Sequence, residues 1–437
     1  LFAMKYSKFT LFFSMFKYTI IALAFALSSC NARSSSTPQT ALSPDSVTLQ
    51  SLQNVRPKAA PIQPAADGLG IWIAGFIGKN IAIVGNQTSV VRSSPLFNKD
   101  GSVNKDVTYT HLVDTLISRG VNVKKVFAPE HGFRGTADAG ASIKDGVDKK
   151  TGIPIISLYG ANKKPTPEQL EGLDFVFFDI QDVGARFYTY ISTLHYVMEA
   201  CSRADLMVVV LDRPNPNGGI VDGPVLNMEY SSFVGMHPIP VLHGMTVGEY
   251  AQMINGQRWL AYNLKCPLAV LPNKDYKREM PYSLPIKPSP NLPNDKSINL
   301  YASLCFFEGT DISIGRGTEM QFQIYGAPQL KANTGFTFTP RPNEGATSPP
   351  HNGTLCYGAD LRNHKNLTTL DLSFLIDTYN KTANKKAFFN SFFTKLAGSK
   401  KLQQQIEEGL TAAQIRATWT QDLETFKTMR APYLIYK

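Results

Sequence analysis

No G-x-G-x-x-G follows the first β-branched run of this chain, and no G-x-x-x-x-G-K-[ST] occurs anywhere. Two familiar backbone cradles for nucleotide phosphates are therefore missing. A G-x-S-x-G elbow is absent too, which removes a serine hydrolase of the α/β type. There is no H-E-x-x-H and no C-x-x-C, and Cys201, Cys266, Cys305 and Cys356 are widely scattered, so neither a metal site nor a cofactor is expected. Disulfides are permitted but nothing in the spacing demands one, and Cys201 falls in a helical stripe that reads as core. Charged residues make up only 18% of the chain; the net charge of +10 comes from lysines spread through loops, such as Lys385, Lys386, Lys400 and Lys401, without interleaved aromatics. That excludes the basic stripe of a nucleic-acid binder, and leaves anionic glycans or headgroups as suitable partners.

Beyond the N-terminus no stretch approaches twenty uncharged apolar residues. The N-terminus itself carries Lys5, Lys8 and Lys17, then an uncharged run over 18–27, too short to span a bilayer comfortably. It closes on Leu27-Ser28-Ser29-Cys30, which resembles a bacterial lipobox. Residues 1–30 are expected to be a lipoprotein signal peptide, with lipidated Cys30 holding an exported protein on the membrane, facing the periplasm or cell exterior. Over 31–70 the composition turns to Ser, Thr, Pro, Gln and Ala, which cannot repay the entropy of ordering and predicts a tether.

With 11% aromatic and 43% hydrophobic residues, the remainder can build substantial cores. From Ile81 onward, β-branched or aromatic runs at 81–84, 123–127, 153–158, 175–179 and 207–211 alternate with helical patterns near 108–118, 167–171 and 188–203. This alternation predicts an α/β domain over 71–265, a mostly parallel sheet covered on both faces. Ile191, Leu194, Val197 and Met198 form an apolar helical stripe, and Thr246 with Glu249 forms a capping box for a further helix. A proline-rich stretch from 266 to 309 leads into short strands, as at 321–325, and helices near 369–379 and 387–396. Residues 266–437 are thus expected to form a second, smaller α+β domain.

In such folds ligands bind beyond the carboxyl ends of the strands. After the first strand come Gly85, Asn86 and Gln87; after the second, Glu130, His131 and Arg134; after the fourth, Asp179, Gln181 and Asp182; after the fifth, Asp212, Arg213 and Asn215. Glu130 is a candidate general acid or base, with His131 and Arg134 beside it. Asp179 or Asp182 can supply the second carboxylate that glycoside hydrolysis usually needs; helix capping by Asp182 and an Arg186 ion pair are equally ordinary uses of those residues. Arg186 and Tyr188 follow on the same segment, and His243 lies in a later loop with His237 nearby. Gly315-Arg316-Gly317-Thr318-Glu319 offers Arg316, a planar fork for an acidic substituent, together with Glu319.

Collectively, Ala128-Pro129-Glu130-His131-Gly132-Phe133-Arg134-Gly135, the segments 179–188, 212–215, 288–293 and 315–319, and the closing 432–436 resemble the NamZ-type exo-β-N-acetylmuramidases, over roughly 77 to the C-terminus. The resemblance implies a Rossmann-like catalytic domain beside a smaller C-terminal domain, with an active cleft between them. It further implies removal of N-acetylmuramic acid from the non-reducing end of peptidoglycan fragments, with Glu130 matching the family's catalytic glutamate. The lactyl carboxylate of muramic acid would pair with Arg134, Arg186, Arg213 or Arg316, and a sugar face would stack on Tyr188 or Phe133. Two other readings use the same residues: a non-catalytic lipoprotein that captures cell-wall glycans, and a hydrolase of another amino sugar.

Overall fold

The structure, a computed structural model, describes residues 61–436 apart from 100, 101, 103, 105, 135–143 and 332–334. The expected signal peptide, the lipidation site Cys30, the tether up to residue 60 and Gly135 lie outside the described residues.

The N-terminal part is built on a seven-stranded sheet. Along the chain the strands are β1 (Asn80–Gly85), a small ribbon of β2 (Val90–Arg92) and β3 (Tyr109–His111), then β4 (Asn122–Ala128), β5 (Gly146–Val147), β6 (Pro154–Ser157), β7 (Phe175–Asp179), β8 (Met207–Leu211) and β9 (Leu268–Leu271). The main sheet runs in the order β5-β6-β4-β1-β7-β8-β9, and every pairing is parallel except β5 with β6. All five residues of β7 and five of the six in β1 are buried, as strands covered on both faces require. The helix Tyr190–Arg203 lays Ile191, Leu194, Val197 and Met198 onto the core, and Thr246 and Glu249 close the capping box of Val247–Gly256. From β1 the chain moves outward through β4 and β6, then returns to β7 and moves the other way, so the order reverses between β1 and β7. Such a reversal opens a crevice at the carboxyl ends.

Two boundaries differ from the sequence-based expectation. β9 extends the parallel sheet past residue 265, because 268–271 pairs with β8 before the proline-rich segment begins. At the other end, residues 61–70 belong to the folded body rather than to a tether. Gln63 exchanges main-chain hydrogen bonds with Lys274, Ala65 and Ala66 are buried, and Asp67 pairs with Arg92 at 3.2 Å.

The C-terminal part is smaller, with a three-stranded antiparallel sheet in the order β10 (Ile324–Ala327), β12 (Cys356–Asp360), β11 (Phe336–Phe338), followed by short helices. One hydrophobic cluster runs from Ala82 and Phe178 through Phe306 and Phe322 to Phe426, so both parts share a core. Asp222 fastens them further: it accepts from the Leu370 amide (2.8 Å) and Trp419 Nε1 (3.2 Å), and pairs with Arg416. Arg278 pairs with Glu249 at 2.7 Å, and Glu249 also receives the amides of Ile435 and Tyr436, which brings the chain's closing residues back to the first part. All four described cysteines are buried free thiols.

Most of the polar residues at the strand tips hold this framework instead of facing a ligand. Asp179 is fully buried and receives a two-pronged bond from Arg213 at 2.6 and 2.9 Å, while the same guanidinium reaches the Val90 carbonyl. Asp212 accepts from the amides of Arg213 and Gly248, the Thr246 hydroxyl and the Tyr436 phenol; burial pushes its carboxyl up to about 6. Asn215 bridges the Asn217 amide and the Met245 carbonyl, packed so tightly over Gly184 that a Cβ there would lie 2.3 Å from its amide. Arg186, fully buried, donates to the carbonyls of Pro224, Ile239 and Leu396. Asn86 donates to the Tyr190 phenol and accepts from Thr88. His243 accepts the Met245 amide, and burial together with Arg430, Arg186 and Arg278 pushes it down to about 3, so it is neutral. Asp182 receives the Gly184 amide at 2.6 Å on Oδ2, while burial pushes its carboxyl up to about 7.

Two stability measurements follow. Asp179→Ala leaves Arg213 buried without its carboxylate and is expected to cost about 3–5 kcal/mol in denaturant unfolding; a loss near zero contradicts the framework role. For Asp182 the folded state holds its proton to a higher pH than the unfolded chain does, so its contribution to stability is complete below the ordinary aspartate range and disappears as pH rises through about 7. His243 and His111, both pushed down by burial, act in the opposite sense at lower pH. The melting temperature of Asp182→Asn relative to wild type should therefore improve from pH 5 to pH 8, and a pH-independent difference contradicts the assignment.

Candidate functional site

Strand β4 ends at Ala128, and the chain then turns sharply. The Gly132 amide closes on the Pro129 carbonyl at 3.0 Å, with His131 and Gly132 at φ of 70° and 76°. A left-handed conformation costs a side-chain-bearing residue about 1–2 kcal/mol; burial of the His131 ring accompanies it here. Glu130 sits at the start of this reversal and is only partly buried. Its Oε1 accepts from the Tyr159 phenol at 3.0 Å and its Oε2 from the Thr189 hydroxyl at 2.6 Å. The loops after β4, β6 and β7 thus converge on one carboxyl group.

Thr189 is the N-cap of the helix Tyr190–Arg203, yet its hydroxyl makes no capping bond and is given to Glu130. The acid is thereby tied to the N-cap residue of that helix. Burial and the neighbouring Glu130 charge push the Tyr159 phenol above its ordinary range, which keeps it a donor. Both hydroxyls can donate to a carboxylate, and either can instead accept the proton of the acid form.

Glu130 opens into a cleft of about 600 Å³, a size suited to a small organic ligand. His131, Tyr159, Phe187, Tyr188, Thr189 and Phe233 contribute its wall from the α/β part. Across from these segments, Ser289, Asn291 and Leu292, Tyr301, Glu308, Arg316, Phe322 and the stretch 345–350 complete it. The proline-rich segment is held in place because the phenols of Tyr188 and Tyr190 both donate to the Pro288 carbonyl, at 2.9 and 3.2 Å. Arg316 lies between two left-handed glycines, Gly315 and Gly317, which turn the backbone around it. Its guanidinium rests over the Phe322 ring and donates from Nε to Glu308 at 2.9 Å. The walls thus combine aromatic faces, hydroxyls, one guanidinium and two carboxylates. No group of three or more His, Cys, Asp or Glu among the described residues is arranged to hold a metal ion.

Of the residues singled out in the sequence, Glu130, His131, Tyr188 and Arg316 line this cleft. Asn86, Asp179, Asp182, Arg186, Asp212, Arg213, Asn215 and His243 do not; their side chains are committed inside the framework described above. Arg134 is turned away as well, paired with Asp148 at 2.8 Å and Asp114 at 3.3 Å while its guanidinium covers Phe133. Phe133 itself is buried edge-on against His111 and presents no sugar platform. Glu319 is exposed and outside the wall. The second carboxylate of the cleft is Glu308, which carries no motif of its own. Tyr159 and Thr189 carry only a weak sequence signal: Tyr159 directly follows the third expected strand, and Thr189 comes directly after the segment 179–188.

Residues 81–296 match the family profile of exo-beta-N-acetylmuramidase NamZ, N-terminal, and residues 299–436 match its C-terminal counterpart. The peptidoglycan beta-N-acetylmuramidase NamZ of Bacillus subtilis (strain 168) is 40% identical over 342 residues, covering 72% of this chain and 80% of that protein. A crystal structure of a DUF1343 family protein from Bacteroides fragilis superposes with a TM-score of 0.76 at 42% identity, covering 86% of this chain and 99% of the other. A second DUF1343 family protein of that organism gives 0.68 at 27% identity, with the same coverage. With both halves matched over nearly all of the described residues, this chain belongs to the NamZ family of exo-β-N-acetylmuramidases.

Proposed function

We propose that this chain is an exo-acting glycoside hydrolase that removes the non-reducing terminal N-acetylmuramic acid from peptidoglycan fragments, with Glu130 as its general acid and base. The observation that carries this reading is the setting of Glu130: a partly exposed carboxyl group, held by two hydroxyls, opening into a cleft with aromatic walls and a guanidinium. Glu130 delivers its proton to the glycosidic oxygen as the bond to the anomeric carbon breaks, and afterwards takes a proton from the incoming water. Tyr159 and Thr189 fix the direction of the carboxyl group through both states, so that little reorganisation accompanies the transfer.

Arg316 is the specificity element of this reading. Its hydrogen bonds to Glu308 use Nε and Nη2, which leaves Nη1 for the lactyl carboxylate that distinguishes muramic acid from N-acetylglucosamine. Glu308 holds the fork in place and offsets its charge before substrate arrives. As part of the same reading, a lipid on Cys30 would hold the enzyme at the membrane beside its polymer, outside the cytoplasm.

Three outcomes are expected. Glu130→Gln should lower turnover of a chromogenic N-acetylmuramic acid glycoside by roughly 10²–10⁴-fold with the melting temperature retained; binding by wild type without turnover would instead support the glycan-capturing alternative. Arg316→Met should reduce kcat/KM for the muramic acid glycoside by roughly tenfold or more, and leave the N-acetylglucosamine glycoside, which lacks the lactyl group, near its wild-type value. Equal losses on both glycosides count against the lactyl contact. Cys30→Ser should move the protein from the membrane to the soluble fraction of an expressing cell, and unchanged fractionation contradicts the lipid anchor.

A further inference from the structure

Tyr159 does more than hold Glu130. Its ring leans against Phe233 with centroids 6.1 Å apart at 54°, and Phe233 in turn stacks with Tyr196 at 6.2 Å and 18°. Tyr159 and Phe233 belong to the cleft wall but Tyr196 does not, so a run of three rings starts at the acid's own hydrogen-bond partner and leaves the cleft. None of the three is fully buried.

Two ammonium groups lie over these rings. Lys163 Nζ is 4.7 Å from the Phe233 centroid and Lys164 Nζ is 5.8 Å from that of Tyr196. They are not equivalent. Lys164 is paired with Glu199 at 2.6 Å, whereas Lys163 has no carboxylate partner among the described residues. A cation over a partly exposed ring is weakly held, so Lys163 can exchange that contact for an anion without breaking an ion pair.

We propose that Tyr159, Phe233 and Tyr196, with Lys163, form the platform that receives the leaving side of the glycan, stacking its sugar faces and pairing with a carboxylate it carries. The inference rests on the assignment of the cleft as a muramidase site. A general acid stands at the junction between the sugar that is released and the remainder of the chain. The cleft wall holds two aromatic groups: Phe322, under the Arg316 guanidinium and against Tyr301, in the C-terminal part, and Phe233, against the Tyr159 that is bonded to Glu130, in the α/β part. With the muramic acid taken by the group that carries Arg316, the group that carries Lys163 is left for the leaving glycan. That glycan combines flat sugar faces with carboxylates, from further lactyl groups or from stem peptides. Aromatic rings topped by an unpaired ammonium fit this chemistry.

The test compares three substrates: N-acetylmuramyl fluoride, which has no leaving sugar; an alternating N-acetylmuramic acid and N-acetylglucosamine tetrasaccharide with free lactyl groups; and the same tetrasaccharide with a stem peptide on its internal muramic acid only, the terminal lactyl group staying free. Phe233→Leu should lower the kcat/KM ratio of tetrasaccharide to fluoride by roughly tenfold. Lys163→Met should lower tetrasaccharide turnover in a salt-sensitive way and leave the fluoride near wild type. A loss confined to the free-lactyl or to the peptide-bearing substrate identifies the source of the carboxylate. An unchanged ratio in both variants overturns the platform. Failure of wild type to turn over any of the three overturns the muramidase reading instead; the platform is then decided by calorimetric binding of the tetrasaccharide, where equal affinities for wild type, Phe233→Leu and Lys163→Met reject it.

Discussion

A carboxylate taken out of water must be met by donors, and this constraint orders the strand tips of the sheet. Asp179 is answered by Arg213, Asp212 by two amides and two hydroxyls, and Glu249 by Arg278 and the amides of the closing residues. Breaking such a group from its partner is far more damaging than the pair is stabilising. These residues therefore define the crevice walls from behind, while Glu130 stands forward with a surface open to the cleft. Burial draws the division: the groups enclosed by their partners hold the framework, and Glu130 keeps part of its surface open to the cleft.

The cleft exists only because the C-terminal part is fastened to the first. Tyr188 and Tyr190, at the start of one helix, hold the Pro288 carbonyl, and through it the segment that contributes Ser289, Asn291 and Leu292 to the wall. Arg186 adds a bond to the Leu396 carbonyl, and Asp222 collects groups from Leu370, Arg416 and Trp419. The helix Tyr190–Arg203 is central to this arrangement. Its N-cap threonine supports the acid, its first tyrosine supports the opposite wall, and its outward Tyr196 continues the ring ladder.

The sheet was legible in the sequence because fully buried strands and amphipathic helices leave periodic apolar patterns. All five expected strands occur, and the capping box at Thr246 and Glu249 is formed as read. The site was legible in part. A polar residue after a strand signals a position near the crevice, but not whether its side chain turns toward ligand or inward to a partner. Asp179 and Arg213 are neighbours only across two strands, and nothing local announces that they consume each other. Arg134 sits in the same loop as Glu130 yet is drawn outward by Asp114 and Asp148. Glu308 was invisible for the converse reason, since its place in the cleft is set by Arg316 and by the docking of the second part.

The most direct measurement is a crystal structure of Glu130→Gln soaked with a disaccharide of N-acetylmuramic acid β-linked to N-acetylglucosamine. The account predicts the muramic acid ring in the cleft, its lactyl carboxylate on Arg316 and the glycosidic oxygen within hydrogen-bond reach of residue 130. A disaccharide bound elsewhere, or seated in the cleft with its glycosidic oxygen remote from that side chain, would contradict it.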